Sequence, residues 1–384
     1  MIPFLIVIAF LITAIWLFTN QSKFGKPPVG ERLERIKKSK QYKNGKFENT
    51  SYTPDLTEGA NFFTVLMQFF FERNKNREPK TKMPTQKTDL LHLDPNQDVL
   101  VWFGHSSYFI QLDGKTFLID PVFSGSVSPI SIVGGAFAGA DVYKPADLPI
   151  IDYLLISHDH WDHLDYETVL ELKPKVSQVI CGLGTGSHLE FWGYDANNII
   201  EKDWHEVVNL GNGFSITLTP ARHFSGRSFK RNQVLWVSFV LKTPGMKLYL
   251  GADSGYDSHF KEIGEQYGPF DLALLECGQY SKNWKYIHMM PEETIQAAID
   301  LKTKKAMAVH WGKFALANHA WDDSINRAVA AAKEKNVNLI TPMIGEAVQL
   351  KSEQKFGEWW RVVWKDSKIK EKSVIFIITI YSNK

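Results

Sequence analysis

Cysteine is nearly absent: Cys181 and Cys277 are the only two in 384 residues, and they lie far apart. That spacing offers no disulfide framework. An excess of one charge is missing too. The formal net charge is +2, from 44 Lys and Arg against 42 Asp and Glu, and gives no case for bulk nucleic-acid binding. Neither a G-x-G-x-x-G turn nor a Walker sequence occurs, which argues against nucleotide-triphosphate chemistry. No internal repeat of fixed period is visible. What remains is a globular composition, 44% hydrophobic and 13% aromatic, long enough to bury one large core or two modest ones.

Against this background one stretch stands out: Ser157-His158-Asp159-His160-Trp161-Asp162-His163-Leu164-Asp165. His158 to His163 hold three imidazoles and, at Asp162, a carboxylate in ligand spacing, the donor types that suit zinc and its neighbours. A single histidine is usually a surface or core residue. This many polar groups buried together without a metal would leave several unsatisfied, at a few kcal/mol each. The cluster follows Tyr153-Leu154-Leu155-Ile156, which reads as a buried strand. Further ligand candidates also follow strand-like runs. His223 comes after Ser215–Pro220, Asp253 after Lys247–Gly251, and His310 after Ala306–Val309. The set is five His and two Asp, enough for two metals.

These residues resemble a known family. The cluster His158–His163, a lone His223, Gly251-Ala-Asp-Ser-Gly255 and a final His310 look like the metallo-β-lactamase-fold hydrolases. Four segments, Asp120-Pro-Val-Phe-Ser124, Leu155–Tyr166, Gly268–Ala273 and His310–Asn318, are similar to N-acyl phosphatidylethanolamine-hydrolysing phospholipase D and its bacterial relatives. The resemblance covers roughly residues 95–350. It implies an α/β four-layer αβ/βα sandwich, with two sheets face to face and helices outside. It implies two metals, usually zinc, with iron or manganese as alternatives. His158, His160 and His223 would hold one, Asp162, His163 and His310 the other, and Asp253 would bridge them.

Two divalent cations roughly 3.5–4 Å apart share a water and lower its pKa towards about 7, supplying hydroxide that attacks a phosphoryl or a carbonyl centre. No side-chain nucleophile is then needed. Asp162 is expected to orient that hydroxide as well as to ligate. His288, in Lys285-Tyr-Ile-His288, has a context like that of a histidine near the reacting phosphate in the phospholipase D relatives. It is a better catalytic candidate than His92 or His205. Asp120 is the candidate to hold a ligand imidazole from behind, or else a turn-forming residue before Pro121. His105 has a family-like context. Arg222, Arg227, Lys230 and Arg231 surround His223 and either attract a phosphate or form a solvated face. Cys277 reads as a small core residue or, less simply, a ligand or nucleophile. The loop through Gly134, Gly135 and Gly139 is placed to cover the site or receive acyl chains.

The function expected is a phosphodiesterase of the phospholipase D type, with a phospholipid or other phosphodiester as substrate. The alternative is a lactonase or other carbonyl or sugar-phosphate hydrolase. A non-catalytic lipid-binding scaffold is disfavoured by the intact ligand set. A homodimer is compatible with the resemblance, and nucleic acid is not expected as a partner.

The ends carry their own signals. Ile2–Phe18 is an almost unbroken apolar run at the lower limit for a membrane span, followed by Lys23, Lys26, Arg32, Arg35, Lys37, Lys38 and Lys40. It reads as an uncleaved single-pass anchor, with the basic flank and catalytic domain on the cytoplasmic side of a bacterial inner membrane. The expected organisation is an anchor over 1–20, a basic extension over 21–95, the hydrolase unit over 96–365 and a tail over 366–384. Within the extension a helix over 61–72 is rich in Phe, either docking onto the body or facing lipid. The apolar run Ser373–Tyr381 is assigned no function.

Overall fold

A computed structural model describes residues 2–130 and 133–363. The tail over 366–384, with its apolar run, lies outside the described residues. Helix α1 (Ile2–Thr19), helix α2 (Gly30–Ile36), a hairpin of β1 (Tyr42–Lys43) and β2 (Lys46–Phe47), and helix α3 (Phe62–Phe71) come first. Next come β3 (Val99–Trp102), β4 (Tyr108–Leu112), β5 (Lys115–Ile119), β6 (Ile151–Ile156), α4 (Tyr166–Leu172), β7 (Val176–Gly182), α5 (Gly186–Phe191) and β8 (Ile199–Lys202). The second half holds β9 (Val207–Gly211), β10 (Phe214–Thr219), β11 (Ser238–Lys242), β12 (Lys247–Leu250), α6 (His259–Gln266), β13 (Leu272–Glu276), α7 (Pro291–Asp300), β14 (Ala306–Val309), α8 (Asp323–Glu334) and β15 (Leu339–Ile340). Strand β16 (Ala347–Gln349) returns to the first half.

Two seven-stranded sheets result, ordered β16-β3-β4-β5-β6-β7-β8 and β15-β14-β13-β12-β11-β10-β9. Each is mixed. Strands β3 to β5 pair antiparallel and β5 to β8 parallel. Strands β9 to β12 repeat the antiparallel pattern and β12 to β15 the parallel one. The two halves are thus built alike, although the sequence shows no period.

Apolar residues on both faces of the central strands explain the layering, since side chains alternate across a sheet. Leu100, Leu155, Ile216, Leu250, Leu274 and Met307 fill the core between the sheets. Their neighbours Val101, Leu154 and Ile156 face outward onto Val169, Leu172 and Leu189 of α4 and α5. In the second sheet Tyr249, Ala273 and Leu275 meet Phe260 and Ile263 of α6 and Ala297 and Ala298 of α7. This is the expected αβ/βα sandwich. The N-terminal extension is woven into it: Ile36, Phe47 and Met83 belong to the inter-sheet core.

The N-terminal span is a correction. Helix α1 has 18 residues, about 27 Å at 1.5 Å per residue, short of the ~30 Å hydrocarbon thickness. Among the described residues no helix is long and apolar enough to cross a membrane. Helix α1 nevertheless leaves Phe4, Phe10 and Trp16 exposed. Helix α3, capped by Asn61 at 2.9 Å from the Thr64 amide, likewise presents Phe62, Phe63 and Phe71 to the outside rather than to the body.

Candidate metal centre

The candidate ligands collect where strands of both sheets end. Strand β6 delivers the loop Ser157–Asp165. Strands β10, β12 and β14 deliver His223, Asp253 and His310, and β3, β5 and β13 deliver His105, Asp120 and Glu276. The sheets are joined at this edge through backbone. His105 N–H donates to Trp311 O at 2.9 Å and His310 N–H to His105 O at 2.8 Å. Both residues, and Asp120, have left-handed backbone, with φ of 54°, 66° and 40°. Such conformations cost of order 1–3 kcal/mol each and gather at functional sites.

All seven expected ligands are brought together. His160 Nδ1 lies 2.9 Å from His158 Nε2 and 3.2 Å from His223 Nε2. Asp253 Oδ2 is 3.1 Å from His163 Nε2, and its Oδ1 is 3.0 Å from His310 Nδ1. Asp162 Oδ2 is 3.5 Å from His163 Nε2. Donor atoms of His158, His160 and His223 form one compact group, and those of Asp162, His163 and His310, with His105, form another. His163 Nε2, His310 Nε2 and Asp253 Oδ1 are buried without a hydrogen-bond partner. Orphaned acceptors at the centre of an imidazole and carboxylate cluster fit a divalent cation.

Four of the five ligand imidazoles, all but His160, are held from behind, which sets their tautomers. His163 Nδ1 donates to Asp120 Oδ2 at 2.8 Å, and Asp120 also accepts from Ser157 N at 2.8 Å and Ser157 Oγ at 2.5 Å. Asp120 therefore orients a ligand as well as turning the chain. His223 Nδ1 donates to Ile287 O at 2.9 Å, Ser106 Oγ lies 2.9 Å from His310 Nδ1, and Ser157 Oγ lies 2.9 Å from His158 Nδ1. Burial pushes His158, His223 and His310 well below the ordinary imidazole pKa, leaving neutral rings with a lone pair to offer. Burial opposes charge at His163 as well, but Asp253 and Asp162 outweigh it and raise its pKa well above the ordinary value.

Three residues join the site that the sequence only hinted at or concealed. His105 is fully buried, with Nε2 2.8 Å from Asp162 Oδ2. Glu276 is the charged end of an otherwise apolar strand, the one signal that could have exposed it. Its Oε1 accepts from Met289 N at 2.6 Å and its Oε2 lies 3.1 Å from His288 Nδ1. Burial pushes the Glu276 carboxyl up to about 7. Asn49 of the extension grips the backbone of His223, its Nδ2 donating to His223 O at 2.7 Å.

His288 stacks on His310 at 5.2 Å and meets His223 edge-on at 5.1 Å, whereas His92 and His205 lie elsewhere, paired with Asp89 and Tyr267. The basic residues divide, with Lys230 and Arg231 at the exposed surface and Arg227 the one that departs from a solvated face. Arg227 is buried among backbone carbonyls, Arg222 is tied to Tyr52 O and Thr53, and Arg231 pairs with Asp55. Cys277 is a core residue in the inter-sheet cluster.

Two facing mixed sheets with a His and Asp cluster at their shared edge define the metallo-β-lactamase class. Comparison with known proteins agrees. The family described as "Beta-lactamase superfamily domain" matches residues 115–311. An uncharacterized protein of Mycobacterium tuberculosis is 34% identical over 328 residues, 84% of this chain and 88% of its own. N-acyl-phosphatidylethanolamine-hydrolyzing phospholipase D 1 of Caenorhabditis elegans is 28% identical over 359 residues, 85% and 95% of the two chains. A solved metallo hydrolase of Ignicoccus hospitalis shares the fold, with a TM-score of 0.51 at 20% identity over 68% of this chain and 100% of that one. The chain belongs to the metallo-β-lactamase superfamily and is a metal-dependent hydrolase of that family.

Proposed function

We propose that this chain is a dinuclear phosphodiesterase of the phospholipase D type, acting on a membrane phospholipid such as an N-acyl phosphatidylethanolamine. The observation that carries the reading is the pair of ligand groups with Asp253 between them, one carboxylate oxygen facing His163 and the other His310. His158, His160 and His223 would hold one cation, Asp162, His163 and His310 the other, and Asp253 would lie between them. Zinc suits these donors, and iron or manganese accept the same set. Two such cations, when bound, supply a water of lowered pKa and an electrophile at neutral pH.

The remaining work falls to side chains. His105 fixes Asp162 by the same Oδ2 that lies 3.5 Å from His163 Nε2, so the carboxylate would be held in place to ligate and to orient a water. Glu276 holds His288 by Nδ1 and turns Nε2 away from itself, where it serves to protonate a leaving alkoxide. The substrate class is supported by likeness to the nematode protein, whose name states what it hydrolyses. It is also supported by the exposed Phe62, Phe63 and Phe71 of α3 and the all-apolar α1. A helix apolar on every side needs a cover, and a lipid surface supplies one without requiring a span. Lys23, Lys26, Lys38 and Lys40, which follow it in the sequence, suit the anionic lipids of a cytoplasmic leaflet.

The test is elemental analysis of full-length protein with a panel of phosphodiesters and lactones. The reading expects two metal ions per chain and release of phosphatidate and N-acylethanolamine. Lactone turnover with no phosphodiester turnover would overturn the substrate class.

A further inference from the structure

The ligand loop His158–His163 alternates its side chains. His158, His160, Asp162 and His163 enter the cluster, while Asp159 and Trp161 point the other way and meet the N-terminal segment. Asp159 Oδ1 accepts from Gly226 N at 2.6 Å, and its Oδ2 lies 3.3 Å from His188 Nε2. The opposite nitrogen of His188 accepts from Lys26 N at 3.0 Å. Trp161 lies edge-on to Phe24 with centroids 5.2 Å apart. Its other neighbour is the Arg227 guanidinium, 4.0 Å from the ring centroid.

Arg227 is 4% exposed and makes no ion pair among the described residues. Its donors go to three carbonyls. Nη1 reaches Asp159 O at 3.1 Å and also Leu164 O, at the two ends of the ligand loop. Nη2 and Nε reach Lys23 O at 2.9 and 3.2 Å. Burial lowers its pKa to about 10, so the guanidinium stays charged at neutral pH. Trp192 Nε1 fastens Ser22 O at 2.7 Å and Ser187 Oγ fastens Pro27 O at 3.1 Å. The segment Ser22–Pro27 is therefore laid along the back of the ligand loop, directly after α1.

We propose that Ser22–Pro27 and Arg227 form a strap that sets the position of the ligand loop, so that the N-terminal segment is a positioning part of the metal centre. The proposal rests on the metal role of His158 and His160 given above. The loop has no helix or strand of its own to hold it. A planar fork with five donors is the side chain that can bind three carbonyls at once.

The test uses cobalt(II)-loaded full-length protein. Gly25 has φ +71°, and a Cβ there would fall 2.1 Å from His188 Nδ1, whereas Gly30, at φ +58°, has nothing within 4 Å. Gly25→Ala therefore pries the strap from His188 while Gly30→Ala imposes similar backbone strain alone. Arg227→Lys keeps the charge and loses the fork. The strap predicts that Gly25→Ala and Arg227→Lys alter the cobalt visible spectrum and release cobalt to chelator about 10–100-fold faster. The same variants should lower kcat on a soluble phosphodiester with KM unchanged, and Gly30→Ala should match the parent. Should Gly25→Ala fail to fold, Arg227→Lys carries the same readouts. Parent-like spectra and release rates in the folded variants would overturn the strap while leaving the metal centre standing. A full-length parent that binds no cobalt would overturn the site reading, and the strap with it.

Discussion

Asp120→Asn should separate a carboxylate that orients a ligand from one that merely turns the chain. Asp120 is 2% exposed and accepts from Ser157 N, Ser157 Oγ and His163 Nδ1. Asparagine keeps the volume and one acceptor oxygen, which serves Ser157 N. The other position becomes NH₂ facing the Nδ1–H of His163, donor against donor. Relief requires His163 to move its proton to Nε2, the atom that faces Asp253 at 3.1 Å and would bind the metal. Losing such a partner weakens metal affinity about 10–100-fold, or about 1.4–2.7 kcal/mol. Competition against a chromophoric zinc chelator measures it, with thermal melts of the metal-free protein as control. Because the carboxylates hold His163 above the ordinary imidazole pKa, binding must expel a proton, so parental affinity should rise with pH. Parent-like zinc affinity in Asp120→Asn, or a loss matched by equal destabilisation of the metal-free fold, would refute the reasoning.

Glu276→Gln keeps an acceptor for Met289 N but removes the charge that, against burial, raises His288. The alkaline limb of kcat should move to lower pH, and an unmoved profile would detach His288 from proton transfer. Gly278→Ala would place a Cβ 2.1 Å from His310 O. It should cost about 1–3 kcal/mol and lower metal content, measured by urea melts and elemental analysis. Burial lowers His259 to about 4. The unfolded chain takes up that proton near pH 6.5 and the fold does not, so stability is complete above 6.5 and declines as pH falls towards 4, by up to about 3 kcal/mol. Glutamine at position 259 should flatten the difference in urea midpoint between pH 7 and pH 4.5; equal losses in both proteins would contradict this. Removing residues 1–20 should abolish sedimentation with anionic lipid vesicles while leaving metal content intact.

The ligands were legible because each follows a short apolar run, and an apolar strand ending in His or Asp is conspicuous in sequence. The run Ala306–Val309 was readable to the residue, and Tyr153–Ile156 falls within its strand, since short apolar runs end there at polar residues. Strands β7 and β9 carry Ser177, Gln178 and Asn209 among apolar residues and give no clear period. Contacts made at long sequence separation left no local trace. Asn49 reaches His223 across 174 residues and Arg227 reaches Lys23 across 204. Arg227 sits in a run of basic residues that looks solvated, and only the folded chain shows it to be buried. For α1 the apolar character was plain. Its length decided against a span.

The ligand set is divided between the halves of the sandwich, with His158, His160, Asp162 and His163 from the first sheet and His223, Asp253 and His310 from the second. A cation held by His160 and His223 would tie together positions 63 residues apart in the chain. Because the ion would bind the assembled site and not the unfolded chain, it would stabilise the fold by mass action, increasingly as free metal rises. With both cysteines free and buried, no disulfide performs this service, and a bound metal centre would add a fastener beside the apolar core between the sheets. Its ligands must then answer to folding as well as to chemistry. Metal starvation would loosen the edge that carries the ligands while the core between the sheets still holds the fold, so activity should be lost before the fold is.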